Sequence, residues 1–252
     1  MRSLEGKVVL VTRPADRSER LERLLEGRGA RPLSAPTIEL VPARAAPLAD
    51  ALARLAAGGF AWIVLTSPGT VDVLAERLSG PREVRAKVAA IGEGTAATFR
   101  RWARRTPDLR PSTFTTDALA RAFPRGTGTV LCARADIAPE GLEDALAKKG
   151  WTAERVDAYR TRLPRTLPKE ARDALRRGEV DAVTFTSAST VRGFVRALGS
   201  VKGAPKVVCV GPVTAREARA HGLTVHAVAN PHTMEGLVGA LERVFTPRGS
   251  RR

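Results

Sequence analysis

Small hydroxyl residues and glycines follow the apolar runs of this chain, at the points where helical patterns begin. Helix N-termini expose unpaired N–H groups and a partial positive charge, so such positions suit carboxylates or phosphates. Two arginines follow other apolar runs and could support an anion electrostatically. The candidate anion-binding positions are Arg13, Ser67, Gly92, Thr95, Arg134, Ser187, Gly211 and Thr214. The hydroxyl residues could instead be simple helix caps, and Arg13 could be an interdomain salt-bridge residue.

Tyr159, the single tyrosine of the chain, is the candidate proton donor. It falls in a segment predicted to cross between two domains, where its phenol would face the space between them. A phenol in that place could donate a proton or a hydrogen bond. The alternative is a packing residue of the hinge with a satisfied hydroxyl.

Several familiar catalytic motifs are missing from the sequence. It contains neither GxxxxGK[ST] nor GxSxG, and Gly92-Glu93-Gly94 lacks the third glycine of a dinucleotide fingerprint. The three histidines have no metal-site spacing. Both cysteines, Cys132 and Cys209, lie in apolar runs and are interpreted as core residues. The sequence therefore offers no recognisable nucleophile, metal set or nucleotide loop.

Four sequence units occur twice in a permuted order. The matched pairs are 62–71 with 182–191, 91–96 with 210–215, 115–119 with 233–237, and 130–134 with 9–13. In the last pair the copy outside the middle of the chain comes first, whereas in the other three pairs it comes second. One set of four units is therefore complete in the middle of the chain, and the other set is split between the N-terminus and the C-terminal third. This pattern predicts a discontinuous domain of residues 1–36 plus 163–252, an inserted domain of 42–157, and connectors at 37–41 and 158–162. A cleft spanned by such a paired hinge is expected to hold the ligand.

Short apolar runs alternate with longer amphipathic ones along the chain. Strands are predicted at 7–12, 61–66, 87–91, 128–133, 152–157, 180–186, 206–210 and 223–228. Helices are predicted at 17–27, 47–57, 69–78, 95–104, 116–123, 139–149, 168–177, 188–198, 213–221 and 234–245. Apolar strands separated by helices are typical of parallel sheets covered on both faces. The predicted fold class is α/β: two flavodoxin-like doubly wound domains, one inserted into the other and joined by a two-stranded connector, with ligands at the carboxyl ends of the strands.

The composition limits the possible partners. The chain has 252 residues, enough for two domains, and no apolar run near the ~20 residues that cross a bilayer. The N-terminus lacks the apolar core of a signal peptide, so we expect a cytoplasmic protein without membrane partners. We also expect a monomer, because a small two-lobed protein with no evident exposed apolar stripe offers no surface for self-association. The net charge of +16 favours an anionic partner, although a chain rich in Ala, Arg, Gly, Pro and Leu can be basic without a binding role.

Nucleic acid is the least favoured anion. Three tryptophans and one tyrosine offer few rings for base stacking, and the arginines are scattered over predicted helix faces. We interpret residues 247–252 as a frayed basic tail.

A set of short phrases, taken in order, resembles the uroporphyrinogen-III synthase family. The phrases are VLVTRP (9–14), PTIE (36–39), IVLTS (63–67), IGEGTA (91–96), VDAYRT (156–161), VTFTS (183–187), VGPVTA (210–215) and PHTMEGL (231–237). They span residues 7–241, and their order includes the permuted repeat. The segments after Ser67 and Ser187 match the family less closely than the strands before them.

The resemblance implies two flavodoxin-like domains with the active site between them. It implies a cofactor-independent lyase that cyclises the linear tetrapyrrole hydroxymethylbilane to uroporphyrinogen III, with loss of water and inversion of the last pyrrole ring, without metal or organic cofactor. This substrate is a small-molecule polycarboxylate, which suits the anion-binding positions, and Tyr159 would supply the proton. The alternative is a two-lobed ligand-binding or sensor protein that holds an anionic small molecule without chemistry.

Overall fold

The structure is a computed structural model that describes residues 3–198 and 205–246. The chain divides into two compact units. Residues 1–39 and 162–252 form the split unit, and residues 40–161 form the middle unit. The predicted tail at 247–252 lies outside the described residues. Within the described ranges, no helix combines the length and the apolar character needed to span a lipid bilayer.

The split unit contains a five-stranded sheet in which every strand runs parallel to its neighbours. Its elements are β1 (Val8–Val11), α1 (Glu19–Glu26), β2 (Arg31–Ser34), α7 (Lys169–Arg177), β8 (Ala182–Phe185), α8 (Ala188–Leu198), β9 (Lys206–Cys209), α9 (Pro212–Ala220), β10 (Val225–Val228) and α10 (Met234–Phe245). The strand order is β10-β9-β8-β1-β2. Numbered within the unit, this is the 2-1-3-4-5 order of flavodoxin-like sheets.

Apolar side chains cover both faces of this sheet. Buried residues of α7, α8 and α9 pack on one face, whereas α1 and α10 pack on the other. The central strand β8 is buried at all four positions, which explains why its sequence is continuously apolar apart from one threonine. Thr184 satisfies its hydroxyl by donating to the Leu10 carbonyl at 3.1 Å.

The middle unit contains a second five-stranded sheet. Its elements are β3 (Glu39–Pro42), α2 (Ala45–Ala56), β4 (Trp62–Leu65), α3 (Pro68–Arg77), β5 (Lys87–Ala90), α4 (Glu93–Ala103), α5 (Thr116–Ala122), β6 (Thr129–Ala135), α6 (Leu142–Ala147) and β7 (Thr152–Arg162). The strand order is β3-β7-β6-β4-β5. The pairs β7–β6, β6–β4 and β4–β5 are parallel. Helices α2, α3 and α4 cover one face, and α5 and α6 cover the other.

The two sheets have equivalent strand orders when β6 of the middle unit is aligned with β1 of the split unit. The series β2-β1-β8-β9-β10 then corresponds to β7-β6-β4-β5, and Leu109 forms an isolated parallel bridge to Ala89 where the fifth strand would lie. The helices correspond as well, with α3 and α4 taking the places of α8 and α9. The duplicated sequence units therefore occupy equivalent places in two similar sheets, and the predicted α/β fold class is confirmed.

The structure adds two strands to the predicted set and extends a third. Strand β2 buries one of its four residues and contains Pro32, and β3 has no buried residue. Both lie at a sheet edge, where apolar patterning is weak and proline is tolerated. Strand β7 continues to Arg162, beyond the predicted end at residue 157. The segments near residues 39 and 161, where the chain passes between units, thus lie in β3 and β7, which are hydrogen-bonded neighbours.

Candidate active site

Ser67 follows β4 and begins α3. Its backbone is extended, its Oγ accepts a hydrogen bond from the Thr70 amide at 3.2 Å, and Pro68 occupies the first helical turn. This is an N-cap, so the structural role considered for Ser67 is realised. The helix start also directs its N-terminal amides to the carboxyl end of the sheet, where the sequence predicts anion binding.

Tyr159 lies on β7 and is 9% exposed. Its hydroxyl donates a hydrogen bond to Ser67 Oγ at 2.8 Å. The pairing of β6 with β7 shifts by one residue here: Arg134 lies opposite Asp157, but Ala135 lies opposite Tyr159. Such a bulge redirects the side chain that follows it. The structure thus brings together the predicted proton donor and one predicted binding position, which are 92 residues apart.

Gly92 and Thr95 lie at the start of α4, after β5. Gly92 has a φ of +81°, which side-chain-bearing residues rarely adopt, so the turn requires glycine. Thr95 is buried in the first helical turn. Glu93, between them, is bound by Arg100 and by Arg110. The hydrogen bond from Arg100 and the charge of both arginines lower the pKa of Glu93, against a smaller opposing effect of burial.

Glu93 was not singled out from the sequence beyond its place in Gly92-Glu93-Gly94. Its position at a helix start, followed by arginines at 100 and 110, is the signal that was available. This carboxylate is therefore paired with two arginine side chains of the middle unit.

Arg134 lies near the end of β6 with a side chain that is fully buried. Its Nη1 donates to both carboxylate oxygens of Glu143, at 2.9 and 3.1 Å. The Nε and Nη2 atoms are buried without a hydrogen-bond partner. Arg134 is therefore paired inside the middle unit. It could affect a ligand only through the electrostatic field of its charge and not through a direct contact.

The split unit carries the remaining predicted positions. Ser187 Oγ accepts from the Thr190 amide at 3.2 Å, which repeats the cap formed by Ser67 and Thr70. Gly211 precedes α9, and Thr214 is buried in the first turn of that helix. The two caps differ in their further partners. Ser187 Oγ contacts Ser189 Oγ at 2.9 Å, whereas Ser67 Oγ binds Tyr159. The Thr190 hydroxyl donates to the Ser187 carbonyl at 2.7 Å, whereas the Thr70 hydroxyl donates to the Ala133 carbonyl at 3.3 Å.

Arg13 lies just after β1 and is half-buried. Its Nε donates to the Arg17 carbonyl at 2.8 Å, and its Nη1 lies 3.6 Å from Met234 Sδ. Burial, followed by the charge of Arg17, lowers the pKa of Arg13. A cation that is costly to bury is stabilised when an anion arrives, so these surroundings suit a residue that meets a carboxylate.

A cavity of about 560 Å³ lies within the middle unit beside β7. Its walls contain Arg44, Pro47, Asp136, Arg155, Val156, Asp157 and Arg160. Arg155 donates to the carbonyls of Asp136 and Ala138, at 3.1 and 3.4 Å, and is thereby committed to the loop after β6. The cavity adjoins the sequence neighbours of Tyr159 but includes none of the predicted site residues.

The two cysteines are buried and free, as predicted. Burial raises the pKa of Cys132 and of Cys209 to about 12, so both thiols stay protonated at neutral pH and neither is an activated nucleophile. Residues 3–198 and 205–246 contain no group of three or more His, Cys, Asp or Glu side chains placed to hold a metal ion.

Comparison with known proteins identifies the family. A family model described as uroporphyrinogen-III synthase HemD matches residues 19–239. A uroporphyrinogen-III synthase of Synechococcus elongatus is 28% identical, and the alignment covers 95% of this chain and 96% of that protein. The family resemblance seen in the sequence is therefore confirmed.

Solved structures support the fold independently. A mutant uroporphyrinogen III synthase of Thermus thermophilus superposes with a TM-score of 0.68 at 23% identity, covering 94% of this chain and 98% of that one. The Helicobacter pylori uroporphyrinogen-III synthetase gives a TM-score of 0.60 at 16% identity, covering 94% of this chain and 99% of that one. At these sequence identities the structural similarity is evidence for the fold alone. With the family match across most of its length, the chain belongs to the uroporphyrinogen-III synthase family.

Proposed function

We propose that this protein cyclises hydroxymethylbilane to uroporphyrinogen III, with loss of water and inversion of the last pyrrole ring. Membership of the family supports the reaction. The observation in the structure that carries the proposal is the hydrogen bond between Tyr159 and Ser67, because it holds the only phenol of the chain at the carboxyl end of a parallel sheet.

Tyr159 is the proposed proton donor. Its proton passes to the hydroxyl of the substrate's hydroxymethyl group, the C–O bond breaks, and the electron pair leaves with water. The resulting cation is shared with the attached pyrrole nitrogen. The substituted α-carbon of the last ring attacks it, and the bond from that carbon to its existing methylene bridge then breaks. The ring's other α-carbon bonds to the freed methylene carbon and gives up its proton to the phenolate, so the ring ends inverted and the enzyme unchanged. The proposal includes no metal or organic cofactor, in line with what the family implies.

The helix N-termini are the proposed carboxylate-binding positions. They are Ser67, Gly92, Thr95, Ser187, Gly211 and Thr214, and each lies just after a strand or in the first turn of the following helix. Backbone amides in a first helical turn lack a carbonyl partner four residues earlier, and those that the caps do not use can bind a substrate carboxylate. The amides of Thr70, Ser187 and Thr190 are already bound within their caps. We propose that Arg13 supports these contacts directly and that Arg134 acts only through its charge, since its guanidinium is buried against Glu143.

The enzyme's main task in this proposal is positioning. The linear substrate also cyclises without inversion when it is free in solution, so the protein must hold it folded in a geometry that favours inversion. A set of amide and hydroxyl contacts suits that task better than a strong nucleophile, and both described thiols are buried.

The experiment that tests the function follows product formation from hydroxymethylbilane. We expect the type III product to accumulate over the type I product that forms spontaneously. If folded protein yields type I alone, the cyclase proposal fails and the two-lobed binding or sensor protein takes its place. Family membership does not favour that second candidate.

Three further features are proposed with the function. We propose a monomer located in the cytoplasm, which light scattering and cell fractionation would test. We propose segments 37–41 and 158–162 as the connectors between a domain of residues 1–36 plus 163–252 and one of 42–157. The strand pair β3–β7 and the observed units support this assignment, and limited proteolysis would test it.

A further inference from the structure

Tyr159 begins a chain of three hydroxyl groups in the middle unit. The Tyr159 hydroxyl donates to Ser67 Oγ at 2.8 Å, and Ser67 Oγ lies 3.2 Å from Thr70 Oγ1. Thr70 Oγ1 in turn lies 3.3 Å from the carbonyl oxygen of Ala133 on β6. The chain therefore connects the proposed proton donor on β7 with the backbone of the neighbouring strand.

The direction of this chain follows from counting protons. A carbonyl can only accept, so Thr70 must donate its single hydroxyl proton to Ala133. Thr70 Oγ1 can then only accept from Ser67, and Ser67 must accept from Tyr159. Ser67 Oγ accepts the Thr70 amide as well, so both of its lone pairs are used.

In this arrangement the phenol proton points toward Ser67. For Tyr159 to give a proton to a ligand, its O–H bond must rotate away. The Ser67 hydroxyl can then turn from Thr70 toward the phenol oxygen and still accept from the Thr70 amide, while Thr70 still donates to Ala133. A hydroxyl that donates to the phenol oxygen stabilises the negative charge that appears when the proton leaves.

The equivalent place in the split unit shows that a serine cap does not require a tyrosine. Ser187 and Thr190 reproduce the serine-to-amide contact at the same 3.2 Å, with Ser189 as the additional partner of Ser187. The contact with Tyr159 is thus an addition to the capping role, and it belongs to Ser67 alone of this pair.

We propose that Ser67 is the positioning residue of Tyr159: its hydroxyl holds the phenol in the free protein and turns to donate to the phenol oxygen as Tyr159 protonates the leaving hydroxyl. This rests on the proposed function, in which Tyr159 is the acid. Ser67 acts through Tyr159 and has no reacting atom of its own.

The test combines variants of both residues. Glycine is a good N-cap, so Ser67→Gly removes the hydroxyl while costing the helix little. We expect kcat of Ser67→Gly to fall about tenfold with a smaller change in KM, because one hydrogen bond to a charged group is lost in the reaction. Ser67→Thr keeps a hydroxyl and should restore most of the rate.

The decisive measurement is the same change in a Tyr159→Phe background. There we expect Ser67→Gly to cause no further loss of kcat, because the phenol it serves is gone. An equal loss in both backgrounds, or a Thr variant as slow as the Gly variant, would overturn the proposal.

A second readout does not depend on activity. The hydrogen bond couples the two residues in the folded protein, so the thermal midpoint shifts of Tyr159→Phe and Ser67→Gly should sum to more than the shift of the double variant. Ser187→Gly is the matched stability control, and its shift should add fully to that of Tyr159→Phe. Full additivity at Ser67 as well would overturn the positioning role. If the wild-type protein forms no type III product but the coupling is present, the proposed function fails while the contact stands.

Discussion

The carboxylate of Glu143 holds the buried guanidinium of Arg134 through contacts of 2.9 and 3.1 Å to one nitrogen, Nη1. The other two guanidinium nitrogens are buried without a hydrogen-bond partner. An arginine in this position depends heavily on its one carboxylate, because removing either partner of a buried pair leaves an uncompensated charge.

Glu143→Gln should therefore destabilise the protein strongly. We expect a loss of about 3 kcal/mol in the free energy of unfolding, the size typical of a broken buried pair. Urea denaturation at neutral pH would measure it. The matched control is Glu179→Gln, which breaks an exposed pair with Arg177 and should move the urea midpoint very little. Similar shifts for both variants would show that the buried pair has no special role.

Two glycines of α10 are predicted to respond oppositely to the same substitution. A Cβ at Gly236 would lie 1.9 Å from the Pro231 carbonyl oxygen, whereas at Gly239 its nearest contacts are side-chain atoms at 3.6 and 3.9 Å. Gly236→Ala should thus lower the free energy of unfolding by about 2 kcal/mol through overpacking. Gly239→Ala should raise it by about 0.5 kcal/mol through better helix propensity. Thermal and urea unfolding would measure both, and two changes of the same sign would contradict the prediction.

His226 should make stability fall in mild acid. Its Nδ1 accepts the Val207 amide at 3.1 Å between β10 and β9. His226 is exposed overall, but partial loss of solvent around its ring, followed by the charge of Lys206, lowers its pKa from 6.5 in the folded protein. The unfolded chain then binds a proton more readily, so this contribution is full above pH 6.5 and is lost as the pH falls through the folded pKa.

Urea midpoints at about pH 7.5 and 5.5 would measure the effect of this lowered pKa. The drop should be smaller in His226→Ala than in the wild type. An identical drop in both proteins would remove His226 as a source of the pH dependence.

Tyr159→Phe should slow type III formation about 100-fold, the lower range for loss of a general acid. Some activity should remain, because water can reach the place of the missing hydroxyl. Steady-state rates with hydroxymethylbilane, corrected for spontaneous type I formation, would measure this. A rate equal to that of the wild type would take Tyr159 out of the mechanism.

Most helices and strands were predictable because their buried residues form apolar patterns in the sequence. Strands such as β4, with all four residues buried, appear as continuous apolar runs. The edge strands β2 and β3 carry little or no buried surface and were missed for that reason. The second half of β7 was predicted as a connector, because its two buried residues, Ala158 and Tyr159, stand between charged residues and give no apolar run.

The site was predictable only in part. Ser67 and Tyr159 were each identified by residue type, but their contact depends on the strand order and on the bulge opposite Ala135. The pairing of Arg134 with Glu143 was missed, because a charged residue after a strand looks like a ligand-binding group until its burial is known. The contact between Ser67 and Thr70 in the chain of hydroxyl groups was indicated by the Ser-x-x-Thr spacing, which recurs at Ser187 and Thr190.

The order of strands also has a consequence for synthesis on the ribosome. Strand β1 lies between β2 and β8, and β8 is not translated until residue 185. The first 39 residues therefore cannot form their complete sheet until residue 185 has been made. Residues 40–161 are synthesised before that and can already form the sheet of the middle unit. Nascent chains fold domain by domain as they appear, so the second piece of this polypeptide to be made is the first that can reach its native form.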